Sequence, residues 1–178
     1  MLFRSAMKIG PLPKDLDPRG LAARGVVIKG TASLEVLPRL REAGLGLGAP
    51  AVAEFRFSRD QEARYVVETR VEATLTVTCQ RCLEVMQLPL TAGSRMACVW
   101  SDSDAAALPS GLEPLVVGDA ADLNEIAEEE ILLAVPVSPT HDDNCLADRN
   151  IFSAADEPEA TPERAPISPF SVLKNLRT

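Results

Sequence analysis

Cys79-Gln80-Arg81-Cys82 places two thiols at metal-ligand spacing, and about sixty residues later the run Pro-Val-Ser-Pro-Thr-His-Asp-Asp-Asn-Cys adds His141 and Cys145. Zinc favours tetrahedral sulfur and nitrogen donors, so a Cys-x2-Cys pair closed by a His-x3-Cys pair makes a Cys3His set with no open position, the form of a structural site. Arg81 lies between the two thiols and offsets part of their negative charge once they ionise, while Asp142 and Asp143 either orient His141 or are simply solvated. The bland alternative is that Cys79 and Cys82 are core-edge residues and His141 an ordinary loop residue. A redox Cys-x2-Cys is disfavoured because no helix start follows Cys79 to depress its thiol pKa. Cys98 falls inside an alternating strand and reads as a small core residue.

Other chemistries find little to work with. The chain has one histidine, no nucleophile elbow and no phosphate loop. Gly44, Gly46 and Gly48 form G-x-G-x-G without the strand, lysine or helix start that phosphate binding requires. Glu128, Glu129 and Glu130 read as a solvated acidic face, not as paired acid and base groups. The expectation is a protein that is not an enzyme. It carries a net charge of −8, split between a mildly basic first hundred residues and a strongly acidic remainder. The basic half offers Arg56, Arg64, Arg70 and Arg81 as candidate RNA contacts, and the acidic half offers Glu128, Glu129 and Glu130 as candidate contacts to a basic protein. Aromatics make up only 4% of the chain, and no stacking platform for bases is legible.

At 178 residues and 46% hydrophobic, the chain can bury one good core. It has no apolar run long enough to span a bilayer and no secretion signal at its start, so a cytoplasmic protein without membrane or DNA partners is expected. In a reducing compartment the four cysteines are poor candidates for disulfides.

The elements that must position the thiols follow from periodicity. Ala51, Ala53, Phe55 and Phe57 alternate, and after Ser58-Arg-Asp-Gln the pattern resumes at Tyr65, Val67, Thr69, Val71, Ala73, Leu75 and Val77. A period of two implies half-buried antiparallel strands, with Cys79 continuing the inward register. Met86 to Trp100 reads as the returning strand, with Pro89 marking an edge or a bulge. Asp15 to Arg24 suggests a short helix with Pro18 in its first turn, and Ser33 to Glu42 is weakly helical around Pro38. Ser101 to Gly111 reads as a small-residue loop. Asp122 caps a helix running from Leu123 to about Val135, stopped by Pro136 and Pro139. The predicted fold is therefore α+β, an antiparallel sheet core with a few flanking helices. It spans 1–146 as a single domain, followed by a flexible acidic tail over 147–178 in which Phe170, Leu173 and Leu176 mark a short terminal helix.

The order Cys-Gln-Arg-Cys, Glu113-Pro-Leu-Val-Val, the segment from Leu123 through Pro-Val-Ser-Pro-Thr-His, Cys145, and a terminal Pro-Phe-Ser-Val-Leu resembles the YceD family of large-ribosomal-RNA-accumulation proteins. The resemblance spans nearly the whole chain and is strongest from Tyr65 to Cys145. It implies a bacterial or organellar factor needed for build-up of large-subunit (23S) ribosomal RNA, and the split charge adds an rRNA precursor or a basic ribosomal protein as the expected partner. This sequence departs from members that carry a second full Cys-x2-Cys, since it has only His141-x3-Cys145 there. A zinc-stabilised adaptor or regulatory protein outside ribosome assembly is the alternative.

Overall fold

The computed structural model describes residues 9–118 and 120–146. The predicted tail and its terminal helix lie outside the described residues. Among these, seven strands and four α-helices occur in the order α1 (Pro18–Arg24), β1 (Val27–Ala32), a 3-10 turn (Leu34–Val36), α2 (Pro38–Glu42), β2 (Gly46–Leu47), β3 (Ala51–Arg59), β4 (Tyr65–Thr78), β5 (Val85–Ala92), β6 (Arg95–Val99), α3 (Asp102–Ala106), β7 (Glu113–Val116) and α4 (Leu123–Ala134). The chain is α+β, with all seven strands in one sheet.

β4 is the spine. Its 14 residues pair on one edge with β3 and then β2, and on the other with β6 and then β5. The alternation read from the sequence sets its register: Val67, Thr69, Val71, Ala73, Leu75 and Val77 are all buried, while Glu68, Arg70 and Glu72 face solvent. A slip of one residue would expose this entire set. The core joins these residues to Phe55 and Phe57 of β3, Leu21 of α1, Leu40 of α2, and Leu123, Ile126, Ala127 and Ile131 of α4. α4 packs on β4 and β5, and α1 on β3 and β4.

Three expectations are corrected. The single returning strand is two strands, β5 and β6, which break at Gly93-Ser94 where β4 exchanges one partner for the other. The Thr69 amide donates to the Ser94 carbonyl at 2.9 Å, and a Cβ on Gly93 would lie 2.5 Å from the Thr69 carbonyl oxygen, so only glycine fits this crossing. Pro89 lies on β5, which pairs with β4 alone, as an edge strand allows. The sheet is also mixed, because β7 runs parallel to β6. A parallel return needs a crossover of a dozen or so residues. The segment read as a loop supplies it and contains α3, capped by the Ser101 hydroxyl, which accepts from the Asp104 amide.

The helix boundaries follow local chemistry. α1 starts at Pro18 beneath Asp17, whose carboxylate accepts from the amides of Arg19 and Gly20, and ends at Gly25 in the left-handed conformation. α4 starts beneath Asp122, which accepts from the Asn124 amide at 2.8 Å, and stops before Pro136. No helix among the described residues is long and apolar enough to cross a membrane.

Candidate metal centre

β4 ends at Thr78, and the chain turns back into β5 through Cys79 to Glu84. The turn is tied by its own backbone: the Cys79 amide donates to the Glu84 carbonyl at 2.8 Å, and the Leu83 amide donates to the Cys79 carbonyl at 2.9 Å. Leu83 takes a φ of 62°, a conformation that costs an L-residue about 1–2 kcal/mol and here folds the chain tightly behind Cys82. Cys79 and Cys82 are both buried.

The second half of the site arrives on the segment after α4. The Gln80 amide donates to the Pro139 carbonyl at 2.8 Å, which fixes that segment against the turn. Arg81 completes the attachment, donating to the Asp143 carbonyl at 2.7 Å and the His141 carbonyl at 3.2 Å. His141 Nδ1 then stands 3.4 Å from Cys82 Sγ. The donor atoms of Cys79, Cys82, His141 and Cys145 all lie within 4.8 Å of one another. A tetrahedral zinc, with bonds of about 2.0 Å to nitrogen and 2.3 Å to sulfur, spaces its donors roughly 3.5–3.8 Å apart. The four side chains therefore fit one such ion with a small contraction of the widest pair.

The electrostatics favour a thiolate. Burial pushes the Cys79 thiol upward, but the backbone amides of Cys82, His141 and Arg81 and the Cys82 side chain outweigh it and lower the thiol from 9.0 to about 6. Oriented amides around sulfur are the surroundings that a metal-binding thiolate requires. Cys98 shows the opposite case: burial alone raises its thiol to about 11, as expected of an inert core cysteine.

A model of the family described as "Large ribosomal RNA subunit accumulation protein YceD" matches residues 67–177, a span that includes all four donors. The chain belongs to the YceD family. It is 28% identical over 171 residues to the Large ribosomal RNA subunit accumulation protein YceD of Haemophilus influenzae, covering 93% of this chain and 96% of that one. No solved structure matches it.

The remaining sequence-derived candidates fare differently. Arg56 pairs with Glu54 at 3.0 Å, Arg70 with Glu72 at 2.9 Å, and Arg64 with Asp60 at 2.6 Å and Glu62 at 2.5 Å. The solvent face of the sheet thus alternates in sign and is not a basic stripe. Arg81 spends its guanidinium on the carbonyls of His141 and Asp143. Asp142 and Asp143 are exposed, and it is the Asp143 carbonyl, not its carboxylate, that holds the loop.

The reading of Glu128 to Glu130 as a solvated face is also corrected. Only Glu129 is exposed, whereas Glu128 and Glu130 are 2% and 8% accessible. Glu128 accepts from the Leu40 amide at 2.9 Å and so caps α2 from another helix, in place of the Leu37 side chain, which cannot. Glu130 accepts from the hydroxyls of Thr69, at 2.9 Å, and Ser94, pinning the β5–β6 crossing to α4.

Proposed function

We propose that this protein promotes accumulation of large-subunit (23S) ribosomal RNA by binding an assembly intermediate, through precursor rRNA or a basic ribosomal protein, without cutting or modifying RNA. The family membership carries the pathway. A binding role is supported by the fate of the acidic groups: Glu128 and Glu130 hold backbone and hydroxyl donors inside the fold, so they are committed to structure. On this reading only Glu129 of that run is available to a protein partner, and the paired Arg56, Arg64 and Arg70 contribute little to RNA affinity. Sedimentation of cell extracts tests the proposal. The protein should travel with large-subunit precursors, and a protein found only at the top of the gradient would reject it.

We further propose that Cys79, Cys82, His141 and Cys145 hold one zinc ion with a structural role. The observation that carries this is the convergence of four donors of zinc-binding type on one point, two from the β4–β5 turn and two from the segment after α4. Arg81, which fixes the carbonyls beside His141, would orient the second pair. Elemental analysis of untagged protein should give one zinc per chain, and none would overturn the assignment.

A further inference from the structure

The chain has one tyrosine and one tryptophan, and the fold places them together at the end of β4 opposite Cys79. Tyr65 opens β4 and Trp100 follows β6, and their rings meet edge to face with centroids 6.0 Å apart. An arginine covers each ring. Arg19, from the first turn of α1, lies 3.7 Å from the Trp100 centroid, and Arg59, at the end of β3, lies 4.7 Å from that of Tyr65 and donates to its hydroxyl at 2.8 Å. Arg19 and Arg59 are both exposed, and neither has a carboxylate partner among the described residues. They differ in this from Arg56, Arg64 and Arg70. Beside the rings opens a cleft of about 340 Å³, lined by Arg64, Tyr65, Trp100, Asp104, Ala107 and Leu108.

The physical content of this arrangement is specific. A guanidinium stacked on an aromatic ring keeps its outer plane free for a second planar group and its N–H edge free for an oxygen acceptor. Unpaired bases supply the planar group and their phosphates the acceptor, a combination used where single-stranded RNA is bound. Duplex bases are already stacked and offer no free face. Asp60, Glu62 and Asp104 lie close by, so the local field is not strongly positive, and stacking must carry more of the binding than phosphate attraction does.

We propose that Arg19, Trp100, Tyr65 and Arg59 form a stacking site for unpaired bases of single-stranded RNA. The proposal rests on the reading that the assembly intermediate includes RNA, and it names the surface that meets it. Trp100 is the sole tryptophan, so its fluorescence reports on this site and no other. Titrating the full-length protein with 12-nucleotide oligo(A) and oligo(U) RNA should quench that fluorescence saturably, while a duplex of the same length should not. Binding followed by anisotropy of labelled RNA should weaken about 5–150-fold in Trp100→Ala, the range that loss of one stacked base gives. The effect in Arg59→Ala should be smaller, with circular dichroism confirming that both variants fold. With two arginines meeting phosphates, log K should fall against log salt with a slope of about −1.4. RNA binding that leaves Trp100 fluorescence unchanged and survives Trp100→Ala would overturn this site while leaving the RNA reading of the function intact. Absence of RNA binding in both readouts, with the protein still sedimenting on large-subunit precursors, would overturn both the site and the RNA arm of the proposed function.

Discussion

The two ends of β4, separated by roughly 45 Å of extended chain, solve opposite problems. At the Cys79 end the chain brings together groups that must be withdrawn from water and ionised, and it spends backbone amides, a left-handed Leu83 and the Arg81 guanidinium to hold them. At the Tyr65 end it leaves two aromatic rings and two arginines with no carboxylate partner among the described residues. Arg81 at the first end donates to two backbone carbonyls, whereas Arg19 and Arg59 at the second end lie over aromatic rings at the surface. On the two proposals above, stability and recognition separate along one strand, with the thiol end turned inward and the aromatic end facing outward.

The largest expected effect tests the proposed zinc. Structural zinc contributes on the order of 10–16 kcal/mol of apparent binding free energy in small zinc folds. Chelation, or Cys82→Ser, should therefore lower the unfolding midpoint sharply and accelerate hydrogen exchange around Cys79 to Val85. Trp100 emission should stay native, because the β3–β4 pairing at its end does not pass through the metal. A matching change at Trp100 would show that the two ends are not separable. Arg81→Ala should leave the four donors present but loosen the loop, weakening zinc about 10–100-fold in a competition titration.

Smaller effects sharpen the boundary between structure and recognition. Glu128→Ala leaves the buried Leu40 amide without an acceptor and should cost about 1–3 kcal/mol in denaturant unfolding, while Glu129→Ala should cost almost nothing. Leu83→Gly removes left-handed strain and an exposed apolar side chain, and should gain up to about 1 kcal/mol if the metal turn is as constrained as its φ of 62° indicates.

The sign of the pH dependence follows from Cys79. Its folded-state pKa of about 6 lies below the ordinary 9.0, so in metal-free protein its contribution to stability is full above pH 9 and is lost as pH falls through about 6. Cys79→Ser should remove a thiolate absorbance step near pH 6 from the metal-free chain, whereas Cys98→Ala should change the absorbance only near pH 11.

How much of this was legible in the sequence depended on how local the cause was. The register of β4 and the span of α4 are set by periodicity and an adjacent cap, and both could be read directly. The two metal-site pairs were legible as spacings, although their convergence depends on Arg81 and Gln80 gripping a segment about sixty residues away. What sequence reading missed was nonlocal. Glu128 looked solvated because the amide it caps lies 88 positions earlier, and Glu130 because its Thr69 partner lies 61 positions earlier. Two aromatics far apart in the chain did not look like a platform, since sheet pairing and α1 together are what bring Arg19, Arg59, Tyr65 and Trp100 to one place. A polar residue inside a helix's apolar arc was the available signal: Glu130 stands three and four positions after the core residues Ala127 and Ile126, and Glu128 three before Ile131.

The most direct test of the account is gradient sedimentation of extracts from rapidly growing cells, comparing the native protein with Glu129→Ala and with Arg19→Ala/Arg59→Ala. The account predicts that the native protein travels with large-subunit precursors, that the double arginine variant shifts to the free fraction while remaining folded, and that large-subunit rRNA falls relative to small-subunit rRNA in cells relying on that variant. A native protein that never leaves the free fraction, with unchanged rRNA ratios when its gene is deleted, would contradict it.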